Sequence, residues 1–145
     1  MKTTSIILAA AQGTRMKSSL PKVLHPILGY PMVWYAVTAS KLVTNNDPVV
    51  VVGHAADAVR ETLGEIAKYV LQEEQLGTGH AVQQAEATLR GKTDYVLVTY
   101  GDMPLVSAET LQELVAAQQA HDGPISVLTL VADDPRGFGR IVRDE

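Results

Sequence analysis

The chain is predicted to be an α/β domain built on a mostly parallel sheet covered by helices. Two observations predict it. Short apolar runs alternate with helical patterns along all 145 residues, which is how strands joined by crossover helices read. The segments richest in glycine and polar side chains also follow the strands, which puts them together on one edge of such a sheet.

The elements follow in order. Residues 5–10 read as a first, buried strand through Ile6, Ile7 and Leu8. A loop of small residues, Ala9 to Gly13, comes next, and Leu20 before Pro21 keeps the stretch after it extended. Pro31 stands at a favourable first helical position before Met32, Val33, Tyr35, Ala36 and Val37, and Asn45-Asn46-Asp47-Pro48 ends that helix. Residues 49–53 give a strand, 55–68 a helix, 69–72 a strand, 78–89 a helix and 95–100 a strand. Ser107 caps a further helix with Glu109 in its first turn, and residues 125–131 give a fifth strand. No repeat, low-complexity tract or linker interrupts the pattern.

Composition narrows the function. With 46% hydrophobic and 19% charged residues the chain is of globular type, long enough for one domain with a sizeable core. The net charge of -4 argues against nucleic acid and acidic membranes as partners, so the cations act locally. Cysteine is absent, which excludes disulfides, thiolate zinc sites and cysteine nucleophiles. The apolar run 6–11 is short, and its motif runs on through the place where a signal peptide would be cut. A cytoplasmic protein is the default expectation.

Leu8-Ala9-Ala10-Ala11-Gln12-Gly13-Thr14-Arg15-Met16, followed by Leu20-Pro21-Lys22-Val23-Leu24, carries the clearest chemistry. Residues almost without side chains let backbone N–H groups approach phosphate oxygens, while Arg15 offers a planar fork of donors and Lys22 a mobile point charge. Neither a P-loop nor a three-glycine dinucleotide fingerprint fits the spacing. Asp102, after Tyr100 and Gly101 at a strand end, is placed either to hold a hard divalent cation such as magnesium or to cap a turn. Gln72 and the segment 75–79 suit the edge of an uncharged base such as uracil, or simply cap a helix. The segment 133–141 reads equally as a turn and as backbone donors for a sugar. His25, His54, His80 and His121 show no metal or catalytic spacing and read as structural; Trp34 and Tyr35 read as core or partner surface.

These motifs resemble the uridyltransferase domain of the bacterial bifunctional N-acetylglucosamine-1-phosphate uridyltransferase/glucosamine-1-phosphate acetyltransferase family. The family pattern L-A-A-G-x-G-T-R-M, L-P-K-V-L-H, Q-L-G-T-G-H-A, Y-G-D-x-P-L and G-[YF]-G-R-I is met in order. The resemblance implies a Rossmann-like nucleotidyltransferase fold with helices on both faces of the sheet. It also implies a magnesium-dependent transfer from UTP to N-acetylglucosamine 1-phosphate, giving UDP-N-acetylglucosamine and pyrophosphate. By matching position, Leu8, Ala9, Ala10, Ala11 and Gly13 would line the nucleotide pocket, with Gln72, Gly77 and Thr78 near uracil and ribose. Arg15 and Lys22 would neutralise phosphates, Tyr100, Gly101 and Asp102 would face nucleotide and sugar, Asp102 would hold Mg2+, and Gly139 would touch the sugar.

Two departures accompany the resemblance. Ala11 stands where the family usually has glycine, so positive φ or phosphate contact there would mean strain or a clash. The family's catalytic domain continues past residue 145, with an asparagine as second metal ligand, and an acetyltransferase β-helix follows it. The chain is therefore expected to be one truncated nucleotidyltransferase domain, 1–145, without that β-helix and with the trimer interface largely absent; exposed apolar surface could then drive self-association. Alternatives from the same residues are a non-catalytic nucleotide-binding module and a related sugar-phosphate or cytidylyl nucleotidyltransferase.

Overall fold

A computed structural model describes residues 1–11, 13 and 16–143. Four parallel strands form the central sheet: β1 (Thr3–Ala9), β4 (Val49–Val52), β5 (Lys68–Leu71) and β6 (Tyr95–Tyr100), in the spatial order β5-β4-β1-β6. The helices are α1 (Met32–Thr44), α2 (Ala56–Leu63), α3 (Thr78–Gln84), α4 (Glu86–Leu89) and α5 (Ala108–Gln119). The chain passes from β1 outwards through β4 to β5, then returns to lay β6 on the other side of β1. This reversal places a topological switch point between β1 and β6. No helix among the described residues is long and apolar enough to cross a membrane.

Alternation along the strands feeds two cores. Ile7, Val50 and Val52 pack with Val33, Ala36 and Val37 of α1 and with Val59 and Leu63 of α2. On the opposite face Ile6, Val49 and Val51 meet Ala81 of α3, Leu89 of α4 and Ala85 between them. Leu97 of β6 joins Ala39 of α1 and Leu111 of α5. All four valines of β4 are fully buried, as a central parallel strand covered on both faces requires. Helices therefore cover both faces of the sheet.

Several boundaries move from their predicted places. β6 keeps its predicted limits, but β1 starts two residues earlier, β4 stops at Val52, and β5 runs Lys68–Leu71. The helix predicted for 55–68 ends at Leu63, because Gly64 takes φ +58° and opens a single 3-10 turn, Gly64–Ile66, ahead of β5. The helix predicted for 78–89 breaks at Ala85, whose N–H bonds to Val82 three residues back instead of continuing the α pattern. No helix breaker in the sequence marks that place. Pro31 is the N-cap of α1, not its first turn.

Two differences are larger. A two-stranded hairpin, β2 (Pro26–Ile27) and β3 (Tyr30–Pro31), turns through Leu28 and Gly29, both at positive φ. Tyr35 pins it to α1 by donating from its hydroxyl to Ile27 O at 2.6 Å, and Tyr30 stacks on Trp34 with ring centroids 4.2 Å apart. The strand predicted for 125–131 is absent. A β-strand is completed by pairing with a neighbour, and this apolar segment pairs with none; Ile125, Leu130 and Val131 are exposed. In the exposed stretch beyond it, the Arg136 guanidinium holds the Asp134 carboxyl below the usual carboxylate range.

The capping of α5 is as predicted, with Thr110 N–H donating to Ser107 Oγ at 3.3 Å. Two hydroxyls carry no such partner. Ser5 Oγ and Ser40 Oγ are fully buried without a hydrogen bond among the described residues. Ile7→Ala should lower stability by about 2–5 kcal/mol in urea unfolding, whereas Val131→Ala should stay within about 0.5 kcal/mol. Ser40→Ala, which removes an orphaned hydroxyl and favours the helix, should leave the midpoint unchanged or raise it by the equivalent of about 1 kcal/mol, and a lower midpoint would refute the orphan assignment.

Candidate functional site

The carboxyl ends of β1, β4, β5 and β6 lie on one edge, since all four strands are parallel. Small residues decide how closely the loops leaving them can approach. A Cβ on Gly53, directly after β4, would stand 2.6 Å from Ala10 O. Only glycine lets the β4 end lie against the small-residue loop. Gly101, after β6, donates its N–H to Leu8 O at 2.9 Å and extends the ladder past the end of the strand. The edge is thereby a shared shelf of backbone with few side chains in the way.

A cavity of about 230 Å³ opens on this shelf at the switch point. Leu8, Ala10 and Ala11 line it from β1 and its loop, and Tyr100 and Asp102 line it from β6. Lys22 and Val23 close one side, while Gln72, Gly77 and Thr78 come from the β5–α3 connection. Gly77 sits at φ +104° as the N-cap of α3, a conformation that side chains rarely adopt, so the turn into the helix depends on it. A larger hollow of about 630 Å³ lies beside the open edge of β6, between that strand, α5 and residues 121–126. Apart from β6 itself, of the residues named from the sequence only His121 and the start of the segment 125–131 line it, none of them a candidate binding residue, and in this fold class ligands bind at the switch point.

Charge in the cavity is arranged as one pair. Lys22 Nζ lies 2.6 Å from Asp102 Oδ2, both side chains about one-third exposed. Lys22 is placed by a 3-10 turn, Lys22–Leu24, whose Val23 and Leu24 are buried as anchors. Gly13 packs against it, since a Cβ on Gly13 would meet Lys22 Cβ at 2.6 Å. Asp102 thus holds a movable cation at the cavity wall and is itself accessible to a competing one.

Most of the residues singled out from the sequence converge here. Ala9 does not line the cavity, because its methyl is buried in the α1 core; its backbone alone belongs to the shelf. Gly139 lies in the exposed segment after residue 131 and lines no part of the cavity. Arg15 lies outside the described residues. Ala11 is exposed at the cavity and is not among the described non-glycine residues with positive φ, which are Lys17, Leu28 and Asn45. Backbone strain at Ala11 is therefore not an issue, and any effect of its methyl must come from contact.

Gln75, expected at the base edge, lines the cavity but donates from Nε2 to Ala10 O at 2.6 Å, tying the β5–α3 loop to the small-residue loop. Sequence reasoning missed other contributors: Ala81 and Val23 also line the cavity. His80 lies 3.0 Å from Gln72 through its Nδ1. Only the glycine-rich run around them hinted at these positions. The other histidines make local contacts: His121 Nδ1 accepts from Gly123 N–H, and His25 Nε2 lies 3.2 Å from Leu20 O.

Comparison with known proteins places this shelf in a wider group. Among curated relatives, the bifunctional protein GlmU of Exiguobacterium sp. is 53% identical over 145 residues, all of this chain and 32% of that protein. GlmU of Brevibacillus brevis is 52% identical over 99% of the chain and 31% of its own length. The chain thus spans about a third of the length of the curated relatives it matches. Of solved structures, Rv0371c from Mycobacterium tuberculosis superposes with a TM-score of 0.72 at 21% identity over 83% of this chain and 62% of that one. A nucleotidyl transferase from Methanothermobacter thermautotroptrophicus gives 0.68 at 25% identity over 79% and 57%. The fold is the Rossmann-like fold of nucleotidyltransferases. With the profile of the MobA-like NTP transferase domain matching residues 5–138, strands, switch point and cavity included, the chain belongs to that family.

Proposed function

We propose that the chain binds UTP with magnesium at the carboxyl ends of β1 and β6, as the nucleotide-holding part of a UTP:N-acetylglucosamine-1-phosphate uridyltransferase. The observation that carries this reading is the convergence of the small-residue loop, Lys22, Gln72, Gly77, Thr78 and Asp102 on one cavity at the switch point. Relatives named GlmU support the choice of uridyl chemistry. A divalent ion has support from the manganese complex of Rv0371c, and a nucleotide from a CMP:2-keto-3-deoxy-manno-octonic acid synthetase solved with CTP.

The donor set fits magnesium. That ion takes one or two carboxylates, keeps several waters and completes its shell with substrate phosphates. Asp102 is a single accessible carboxylate beside the cavity, and the described residues hold no cluster of three His, Asp or Glu that would suit a dedicated metal cage. Bound at Asp102, the ion supplies compensation for the charge of the triphosphate and of the departing pyrophosphate.

The chain's own residues do the rest by position. Backbone groups of Ala10, Ala11 and Gly13 face the phosphates, with Arg15 as a further donor. The Gln72 carboxamide and the Gly77–Thr78 backbone take the base and ribose, and Tyr100 and Gly101 border the acceptor side. Lys22 exchanges its bond to Asp102 Oδ2 for a phosphate oxygen when the nucleotide enters. An oxygen of the sugar phosphate then attacks the α-phosphorus, the bond to the bridging oxygen of the β-phosphate breaks, and pyrophosphate leaves with that electron pair. No protein nucleophile is needed.

One observation favours a second reading, a module that holds the nucleotide without turning it over: Gly139, the expected sugar contact, lies away from the cavity. Pyrophosphate release from UTP and N-acetylglucosamine 1-phosphate separates the two. Magnesium-dependent release by the folded chain establishes the transferase; UTP binding without release leaves the module.

Binding itself is tested by calorimetry. Lys22→Ala should weaken magnesium–UTP binding about ten- to a hundredfold, the equivalent of one charge-assisted hydrogen bond. Asp102→Asn should act with opposite signs in two buffers. In EDTA it should tighten UTP binding, because Lys22 is freed and a repelling carboxylate is gone, while the gain from adding magnesium should vanish. Equal magnesium dependence in the variant and the parent would remove Asp102 as the metal ligand.

A further inference from the structure

Gln72 is the most buried polar side chain at the cavity, 4% exposed, and its backbone N–H is already spent on Val52 O at 2.8 Å. Its side-chain amide nitrogen has two neighbours, Gly77 O at 3.3 Å and His80 Nδ1 at 3.0 Å. An amide nitrogen carries two hydrogens, so these two acceptors use both. What the carboxamide then has left for a ligand is Oε1, an acceptor.

We propose that His80 is a positioning residue for base selection: by accepting from Gln72 Nε2 it keeps the acceptor oxygen of Gln72 turned to the cavity. The proposal rests on the reading of the cavity as a UTP site. An acceptor at that place is complementary to the N3–H of uracil and opposes the bare N3 of cytosine, so orientation of one amide separates two pyrimidines of nearly equal shape.

The imidazole decides the orientation because a neutral ring accepts at only one nitrogen. On its far side, Nε2 lies 3.0 Å from Gln84 Nε2, which also donates to His80 O at 3.1 Å. Two amide nitrogens therefore face one ring, and one carboxamide must present its oxygen instead. Oxygen and nitrogen of an amide have the same shape, so energetics settles which one turns. Turning Gln72, which is 4% exposed, would set Oε1 against Gly77 O, two acceptors opposed beside a buried side chain. Turning Gln84 gives up its bond to His80 O, but Gln84 is only half-buried, so its turned amide stays within reach of solvent and the cost is smaller there. The ring then carries its proton on Nε2 and accepts at Nδ1.

Two measurements test this on the chain as it stands. Nitrogen-15 NMR of the free protein should find His80 in the Nε2–H form at a pH where the ring is neutral; the Nδ1–H form overturns the proposal. Calorimetry with UTP and CTP should show preference for UTP. His80→Leu should cut the UTP-to-CTP affinity ratio about tenfold, one hydrogen bond's worth, at an unchanged melting temperature. His80→Asn, whose Oδ1 can replace Nδ1 as acceptor, should restore it. An unchanged ratio in a folded His80→Leu chain also overturns the proposal. Failure of the parent chain to bind either nucleotide refutes the function proposed above, while the tautomer still decides the orientation of Gln72.

Discussion

The arrangement of the site depends on β1 lying between β4 and β6 in a wholly parallel sheet. Parallel pairing on both sides sends three loops out of one edge, and the return of the chain from β5 to β6 opens a crevice between the loops of β1 and β6. A sheet covered on both faces hides its backbone polar groups everywhere except at such ends. The shelf is then drawn together by the lack of side chains at Gly53 and Gly101, where a Cβ would press on Ala10 O and on Leu8 O and Val33. Packing and binding are thus served by the same small residues, and each substitution there acts on both.

How much of this was legible in the sequence follows from which forces are local. The four central strands were readable because runs such as Val49-Val50-Val51-Val52 have no other soluble use in a chain of this length. The cavity residues were readable because small and charged residues at strand ends have few structural reasons to recur three times on one edge. Helix ends were harder. Gly64 gave a signal that the apolar periodicity of the preceding helix concealed, whereas the break at Ala85 has no signal at all. His80 was unreadable because its meaning lies in a contact with Gln72, eight residues earlier and across a turn.

The strand expected at 125–131 fails for a different reason. It is as rich in β-branched and apolar residues as β6, yet strand propensity measures the fit to a neighbouring surface more than an intrinsic preference. β6 is an edge strand with Val96 and Val98 partly exposed, and the segment 125–131 is exposed nearby without pairing to it. A hollow of about 630 Å³ lies between β6, α5 and residues 121–126, on the side of the sheet edge that stays unpaired.

The function proposed above asks a chain of net charge -4 to hold a triphosphate, and electrostatics says how it would. At physiological salt the field of distant charges decays within about 8 Å, so binding is governed by what stands at the cavity wall. There Lys22 and Asp102 cancel one another in the free protein, which keeps an accessible ammonium from attracting anions indiscriminately. A bare anion must compete with Asp102 for Lys22, and a bare cation must compete with Lys22 for Asp102. A metal–nucleotide complex satisfies both at once, because its cation replaces Lys22 at the carboxylate as its phosphates take up the released ammonium. Under the proposed function the pair would therefore favour the complex over either component alone, through mutual neutralisation and not through the protein's overall charge.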